Sequence, residues 1–252
     1  MLFDTHAHLN DSAFDGDRDT LIAGLAEKGV GFVMNAGCSL QSSKECIALA
    51  EKYPFLYASV GSHPDAADEV CEELMETYLQ MAKHPKVKAI GEIGLDYYYE
   101  DFDRQIQLRA FRMQMELARQ ADLPVIVHER DAHSDGMDMV QDFPDVTGVF
   151  HCYSGAAEMA RQLVKKGWYI GFTGVLTFKN ARKAVETAEA VPIERILLET
   201  DCPYMSPEPY RGRRNDPGRL IYMAQKLAEI KNLPVEQVIE ITTENAKQLY
   251  RI

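Results

Sequence analysis

Two kinds of hydrophobic pattern alternate along the chain. Short, nearly continuous apolar runs predict buried β-strands. Between them lie longer segments with apolar residues three or four positions apart, a spacing that is typical of amphipathic helices. The predicted strands are residues 2–5, 31–35, 56–60, 88–90, 124–127, 147–150, 169–172 and 196–198. The predicted helices are residues 17–28, 42–52, 71–83, 102–120, 156–166, 181–190, 217–230 and 235–249, with a less regular pattern at 131–142.

The alternation of strands and helices predicts parallel βαβ units. Eight such strands within 252 residues favour an α/β fold, a (β/α)8 TIM barrel with an additional C-terminal helix. An open doubly wound sheet is the main alternative, but it would want a glycine-rich phosphate loop after its first strand, and none is present there. Since no linker, repeat or low-complexity segment interrupts the pattern, we expect residues 1–252 to form a single domain.

The overall charge is acidic, with 27 Lys and Arg against 39 Asp and Glu and a net charge of −12. This balance argues against a surface that coats nucleic acid in general, although it leaves room for a local basic mouth. No apolar run approaches the ~18 residues of a membrane span, and the N-terminus lacks the pattern of a signal peptide. We therefore expect a cytoplasmic protein with no membrane association and no obligate protein partner.

The cysteines are odd in number, widely spaced and without a Cys-x-x-Cys pair. They are Cys38, Cys46, Cys71, Cys152 and Cys202. This pattern argues against a disulfide framework and against a thiolate zinc site. It predicts reduced thiols in the core or near a pocket.

Most histidines directly follow predicted strands. In a TIM barrel the catalytic groups sit at the C-terminal ends of the strands, where the βα loops form the mouth. Five of the seven histidines, with one glutamate and one aspartate, take such positions: His6, His8, His63, Glu92, His128, His151 and Asp201. Each histidine alone also fits a packed or solvated role. Together they indicate a site, because imidazoles and carboxylates after apolar strands are costly to bury unless paired or metal-bound.

This set of side chains has the chemistry of a metal centre. In a strand, side chains two apart share a face, so His6-Ala7-His8 presents two imidazoles together. Four histidines (6, 8, 128 and 151), Glu92 and Asp201 are too many ligands for one catalytic ion with an open position, but they suit two ions about 3.5–4 Å apart. Glu92, with two oxygens, is the natural bridge. The mixed nitrogen and oxygen donors admit zinc, manganese, cobalt or nickel, and magnesium less readily.

Several longer motifs carry a family resemblance along essentially the whole chain. They are Phe3-Asp4-Thr5-His6-Ala7-His8-Leu9, Gly61-Ser62-His63-Pro64, Gly91-Glu92-Ile93-Gly94-Leu95-Asp96-Tyr97, His128-Glu129-Arg130, His151-Cys152-Tyr153-Ser154-Gly155, Leu198-Glu199-Thr200-Asp201-Cys202-Pro203-Tyr204 and Pro209-Tyr210-Arg211-Gly212 with Asn215 and Pro217. The sequence resembles the TatD family of metal-dependent deoxyribonucleases, a branch of the amidohydrolase-like barrels. The resemblance implies that His6, His8, Glu92 and Asp201 hold one divalent ion.

By the same resemblance, Glu92, His128 and His151 hold the second ion, and the activity is that of a 3′→5′ exonuclease on DNA, with related activity on RNA. One departure concerns the residue two places after His63, where some members have a histidine and this chain has Asp65. We expect that change to weaken a phosphate contact from this position.

Candidate substrate-binding residues follow the same strands. His63, Arg130 and Arg211 are expected to hold phosphate, and Tyr153 to contact the substrate. Residues 97–99, three consecutive tyrosines, and Tyr153 suit either stacking on an unpaired base or loop packing. For Arg213 and Arg214 a solvated role is equally compatible. Glu199 is expected either to orient a metal ligand through a contact on the side away from the ion or to be an internal polar group of the barrel. Asn215 is expected to cap the following helix.

The resulting hypothesis is a dinuclear-metal-dependent hydrolase, a 3′→5′ exodeoxyribonuclease acting on the 3′ end of single-stranded DNA or on another phosphodiester. Asp201 would orient a metal-activated water and take its proton, while Glu92 bridges the ions. A second hypothesis keeps the site but changes the substrate to a small amide, lactone or ester. Such relatives often use a bridging lysine, so Glu92 favours phosphodiester cleavage only mildly. A metal-binding scaffold without turnover is a third hypothesis.

Overall fold

The strands form one parallel sheet in sequence order. In the computed structural model, which describes residues 1–99 and 103–252, the sheet has eight strands in the order β1 to β8. They are β1 (Leu2–Ala7), β2 (Val30–Asn35), β3 (Leu56–Val60), β4 (Val87–Asp96), β5 (Val125–Arg130), β6 (Gly148–Phe150), β7 (Tyr169–Phe172) and β8 (Ile196–Leu198). The predicted (β/α)8 barrel is therefore confirmed, since parallel neighbours with helical crossovers curl into this shape.

The first and last strands meet just beyond their C-terminal ends. Ala7 and Cys202 form a parallel bridge. The Asp201 amide donates to the carbonyl of His6 at 2.9 Å, and the His8 amide donates to the carbonyl of Cys202 at 2.9 Å. Barrel closure thus brings residues almost 200 positions apart into contact at the mouth.

Helices connect the strands and cover the outside of the barrel. In the described residues the α-helices are α1 (Arg18–Ala23), α2 (Leu40–Lys52), α3 (Glu72–Met81), α4 (Arg104–Ala121), α5 (His133–Asp142), α6 (Ala157–Lys165), α7 (Arg182–Ala190), α8 (Leu220–Lys231) and α9 (Val235–Tyr250). The additional C-terminal helix is α9. The predicted start of a helix at residue 102 lies outside the described residues. Among those residues, no helix combines the length and the apolar character that a membrane crossing requires.

Two predicted helices are interrupted in the structure. The segment 17–28 splits into α1 and a short 3₁₀ turn at Ala26–Lys28, because Gly24 ends the first helix. Glycine has poor helix propensity, so a break is favourable there. The segment 217–230 begins with a 3₁₀ turn at Pro217–Arg219 before α8. Its N-cap is Asp216, whose carboxylate accepts from the Gly218 amide, so the prediction that Asn215 caps this helix was wrong.

Strands β4 and β5 run further than predicted. The sequence pattern ended them at Ile90 and Val127, yet they pair as far as Asp96 with Arg130. The apolar run stops earlier because the interior of the barrel mouth is lined by polar side chains. Glu92 and His128 therefore lie within strands instead of directly after them.

Two strands that carry site residues, β1 and β4, have an irregular register with a neighbouring strand. Along β1, the four residues from Asp4 to Ala7 match only three on β2. Along β4, the four residues from Ile90 to Ile93 match only three on β5. An extra residue of this kind bends a strand and changes the direction of its side chains. The bulges lie at His6 and at Glu92, so both side chains are set by an irregularity that hydrophobic periodicity does not show.

The lower half of the barrel is filled with apolar side chains. A buried cluster takes one residue from most strands and closes against the end of α9: Phe3, Met34, Ala89, Ile126, Val149, Tyr169 and Leu197, with Ala246, Leu249 and Tyr250. The Tyr250 hydroxyl donates to the carbonyl of Thr5 at 3.3 Å. Helix α9 therefore closes the end of the barrel opposite the mouth, and the polar site rests on a rigid apolar base.

Candidate metal centre

A cavity of about 870 Å³ opens at the C-terminal ends of the strands. Five of the six predicted metal ligands line it: His8, Glu92, His128, His151 and Asp201. His6 lies beneath them and is fully buried. Asp201 adopts a left-handed backbone conformation with φ 54°, which an aspartate tolerates better than most residues. The structure thus brings together all six predicted ligand side chains.

Four ligand atoms form the first cluster. His6 Nε2 lies 3.0 Å from His8 Nε2, 3.2 Å from Glu92 Oε2 and 3.8 Å from Asp201 Oδ1. His8 Nε2 lies 3.6 Å from Glu92 Oε2 and 3.3 Å from Asp201 Oδ1. Atoms placed tetrahedrally about 2.0–2.1 Å from one ion are roughly 3.3–3.4 Å apart. The spacing of this cluster therefore fits a single divalent ion.

The other oxygen of Glu92 faces the second cluster. Glu92 Oε1 lies 2.7 Å from His151 Nε2 and 3.0 Å from His128 Nδ1. These two ring nitrogens are 3.3 Å apart. The two oxygens of one buried carboxylate thus face two different sets of imidazole nitrogens, as a carboxylate bridge requires. The donor atoms present fit two ions with nitrogen and oxygen ligands.

Two of the imidazoles are oriented through their remaining nitrogen. His128 Nε2 lies 3.1 Å from Asp96 Oδ2, and His8 Nδ1 lies 3.2 Å from the carbonyl of Ala36. A proton held on those nitrogens leaves the opposite lone pair, Nδ1 of His128 and Nε2 of His8, directed at the cluster. Gly94 makes the first contact possible, because a Cβ there would lie 2.0 Å from the His128 carbonyl. Close packing of β4 on β5 brings Asp96 within reach of His128.

A buried layer of polar groups lies below the second cluster. The rings of His6 and His151 stack with centroids 4.0 Å apart, and their Nδ1 atoms have no hydrogen-bond partner among the described residues. Glu199 Oε1 lies 3.7 Å from His151 Nδ1, longer than a hydrogen bond, and accepts from the Cys152 amide at 2.5 Å. Burial raises the pKa of Glu199 well above its ordinary value. Its orienting role stays a prediction, because its nearest polar contact is the backbone.

The electrostatics of the cluster suit cation binding. Burial would raise the pKa of Glu92, but the charges of His151 and His6 outweigh it and hold the pKa well below its ordinary value. Burial and the charge of His151 lower the pKa of His6 to about 4. Burial would lower the pKa of His128, but hydrogen bonds with Asp96 and Glu92 raise it to about 9. At neutral pH, Glu92 is therefore ionised and His6 neutral, whereas His128 must release a proton to bind an ion.

The predicted substrate-binding residues fall into two groups. His63, Arg130 and Tyr153 line the cavity, and His63 Nε2 lies 3.8 Å from Glu92 Oε1. Tyr153 is buried and its hydroxyl donates to the carbonyl of Ala156. Arg211 is not among the described residues that line the cavity, and its guanidinium lies 4.2 Å from the ring centre of Phe178.

Among the consecutive tyrosines, exposure differs. Tyr97 is engaged in packing, since its hydroxyl donates to Asp135 at 2.5 Å. Tyr98 lines the cavity and is 55% exposed, and the guanidinium of Arg130 lies 3.7 Å from its ring centre. The Tyr98 amide donates to Asp96 Oδ1 at 3.0 Å. Tyr98 and Arg130 thus form a preformed ledge beside the second cluster.

Sequence reasoning missed two residues of the site. Asp96 was predicted only as part of a family motif and not as a contact of His128. Its position two residues beyond Gly94 places it on the strand that carries Glu92. Cys38 follows β2 and lies 3.5 Å from Glu92 Oε2. Its position directly after an apolar strand was the available signal. All five cysteines are free, which confirms the prediction of reduced thiols.

Comparison with known proteins places the chain among metal-dependent hydrolases. A family model described as TatD related DNase matches residues 3–251. An uncharacterized metal-dependent hydrolase of Bacillus subtilis, YabD, is 41% identical over 254 residues, covering 100% of both chains. A protein of Citrobacter rodentium named 3′-5′ ssDNA/RNA exonuclease TatD is 32% identical over 259 residues, covering 100% of this chain and 98% of the relative.

The fold is also similar to that of a solved relative. The crystal structure of YJJV, a TatD homologue from Escherichia coli K12, matches with a TM-score of 0.93 and 30% identity. The match covers 100% of this chain and 98% of the other. The similarity of the barrel therefore extends over nearly the whole of both chains.

Proposed function

The chain belongs to the family of TatD related DNases, a family of metal-dependent hydrolases, and we propose that it is a two-metal phosphodiesterase that removes nucleotides from the 3′ end of single-stranded DNA. The observation that carries this proposal is the arrangement of Glu92. Its Oε2 faces His6 and its Oε1 faces His151 and His128. Two bridged ions can act on the attacking and the leaving oxygen of one phosphodiester.

The residues have separate roles in this proposal. His6, His8, Glu92 and Asp201 would hold one ion, and Glu92, His128 and His151 the other. When bound, the ions would polarise the phosphoryl group and lower the pKa of a water molecule.

Asp201 is the proposed base. Burial would raise its pKa, but the hydrogen bond with His8 and the charge of His6 hold it below its ordinary value. Asp201 is therefore ionised at neutral pH and able to accept a proton from the attacking water. It lies at the rim of the cavity, 8% exposed, so water reaches it.

Charge in the cavity explains why such an activity would depend on metal. Among the described residues, six carboxylates line it, Asp11, Asp65, Glu92, Glu129, Asp131 and Asp201. They outnumber the cationic side chains there, which are Arg130, Lys183 and, before an ion binds, the protonated His128. Without divalent ions this surface repels a phosphate. His63 and Arg130 would hold the phosphate once the ions compensate the carboxylates.

The shape of the site supports action on an end of a single strand. A cavity of about 870 Å³ has the size of a small-molecule cleft, so it suits one or a few nucleotides and not a duplex. The exposed ring of Tyr98 offers a stacking surface for an unpaired base beside Arg130. Stacking of this kind does not depend on the identity of the base.

The test is hydrolysis of a 5′-labelled single-stranded DNA with added manganese, magnesium or EDTA. We expect a metal-dependent ladder that shortens from the 3′ end, and its loss in Glu92→Ala. Glu76→Ala is the matched control, since Glu76 is exposed on α3 and is not among the described residues that line the cavity. Full activity of Glu92→Ala, or of the wild type in EDTA, would refute the proposal.

A second candidate function is hydrolysis of a small neutral ester, lactone or amide. The observation that favours it is the apolar wall formed by Phe172, Val175 and Leu176 on one side of the acidic cavity. A neutral substrate would not be repelled by the carboxylates. Turnover of such esters with two bound ions per chain, but without cleavage of DNA, would establish this candidate.

A further inference from the structure

A thiol stands at the edge of the first cluster. Cys38 follows β2 and lines the same cavity as Glu92 and His8. Its Sγ lies 3.5 Å from Glu92 Oε2 and 3.7 Å from His8 Nδ1. These three side chains come from the ends of β1 and β2 and from β4, and together they form a group whose ligand atoms are close enough to hold one ion.

The distances around Cys38 match a thiolate coordination set. Bonds from an ion to sulfur are about 2.3 Å and to nitrogen or oxygen about 2.0–2.1 Å. A tetrahedral arrangement with these lengths separates sulfur from its neighbours by roughly 3.6 Å. The observed 3.5 and 3.7 Å lie on either side of that value. The ligand atoms of the group all lie within 4.8 Å of one another.

We propose that His8 Nδ1, Cys38 Sγ and Glu92 Oε2 form an alternative site for thiophilic divalent ions such as zinc, cadmium or cobalt. This site overlaps the first cluster, because both use His8 and the same oxygen of Glu92. The two sites are therefore mutually exclusive. An ion held by Cys38 keeps a hard ion from binding at the first cluster and acts as an inhibitor.

Occupation of the alternative site follows a balanced exchange of protons. A bond forms between sulfur and the ion, and the thiol proton of Cys38 passes to solvent. His8 gives up the contact of Nδ1 with the Ala36 carbonyl, and its ring proton moves to Nε2 through water. That nitrogen then no longer offers a lone pair to the first cluster. The ion is not reduced or oxidised in this exchange.

The chemistry of the ligand decides which ions are affected. Thiolate is a soft ligand that selects zinc-like ions, whereas magnesium and manganese prefer oxygen. We therefore expect magnesium and manganese to occupy the first cluster without displacing the thiol proton. The same cavity would then distinguish activating from inhibiting ions by one side chain.

The test titrates the wild type with cobalt and records the near-ultraviolet band that arises when thiolate transfers charge to cobalt. Cys38→Ser should lose this band. Cys152→Ser is the matched control, because Cys152 also lines the cavity but its Sγ contacts the Thr173 hydroxyl at 3.5 Å. A band that persists in Cys38→Ser, or that is lost in Cys152→Ser, would overturn the assignment.

A second spectroscopic measurement uses the wild type alone. Cadmium-113 NMR of the wild type should show a resonance in the downfield range of thiolate-bound cadmium, and added manganese should not produce it. A resonance only in the range of nitrogen and oxygen ligands would overturn the proposal. Cadmium should also inhibit wild-type hydrolysis of whichever ester is turned over, with the inhibition relieved in Cys38→Ser. The spectroscopic results decide the metal site even if the enzyme does not cleave DNA.

Discussion

Replacement of Asp96 by asparagine should separate the two proposed ion sites. Asp96 Oδ2 lies 3.1 Å from His128 Nε2, while Oδ1 accepts from the Tyr98 amide. If the asparagine keeps its oxygen on Tyr98, its amide nitrogen faces His128 and donates where the carboxylate accepted. The proton of His128 then belongs on Nδ1, the atom that points at Glu92, and the lone pair needed for the second ion is lost.

The expected loss can be estimated from the position of Asp96. Removing a partner that orients a metal-binding histidine costs roughly 10–100-fold in metal affinity. Asp96 also helps to raise the pKa of His128 to about 9, so below that pH the wild type must release a proton before it binds the ion. The loss of metal affinity in the variant, relative to the wild type, should therefore be largest above about pH 9. It should become smaller as the pH falls, because protons compete less with the ion for His128 in the variant than in the wild type.

The assay is a competitive chelator titration that counts ions per chain and measures both affinities over this pH range. Asp65→Asn is the matched control, since its carboxylate lies 2.8 Å from His63 Nδ1 in a similar contact but at an exposed position. We expect the first ion to bind equally in all three proteins. An equal loss of both ions in Asp96→Asn, or no loss of either, would refute the assignment of Asp96 to the second site alone.

Three further predictions concern Asp4, Tyr98 and Tyr250. Burial raises the pKa of Asp4 from 3.8 to about 7, so ionising this carboxyl destabilises the folded state as the pH rises from about 4 to about 7, by at most about 4 kcal/mol. The free energy of unfolding of Asp4→Asn, measured with urea, should rise relative to that of the wild type as the pH rises over this range. A difference between the two proteins that does not change with pH would contradict this prediction. Tyr98→Ala should raise KM for single-stranded DNA about 5- to 150-fold, from ~1–3 kcal/mol of stacking, and leave bis(p-nitrophenyl) phosphate hydrolysis unchanged; equal effects on both substrates would exclude a stacking role. Tyr250→Ala should lower the free energy of unfolding by about 3–5 kcal/mol, since it empties a large buried position beneath the barrel, and a loss below about 1 kcal/mol in urea unfolding would contradict that packing.

The positions of the strands followed from local pattern alone. The predicted strands at 56–60, 169–172 and 196–198 coincide with β3, β7 and β8, because a strand buried on both faces needs a continuous apolar run. The same logic identified polar residues after such runs as candidates for the mouth. Where polar side chains lie inside the strand, as with Glu92 and His128, the pattern placed the strand end too early.

The pairing of side chains at the site depended on tertiary structure. Asp201 contacts His8 because the barrel closes between β1 and β8, and this contact joins residues that no local rule relates. Cys38, which follows β2, approaches Glu92 on β4 in the same way.

The hydrophobic pattern alone predicts the barrel and the polar residues at its mouth, since both depend on which residues can be buried. Which atom of each residue faces which partner depends on the folded barrel and does not follow from the pattern. The bulges at His6 and Glu92 and the close approach at Gly94 set those directions. They arise from strand pairing and ring closure, which depend on contacts between residues far apart in the chain.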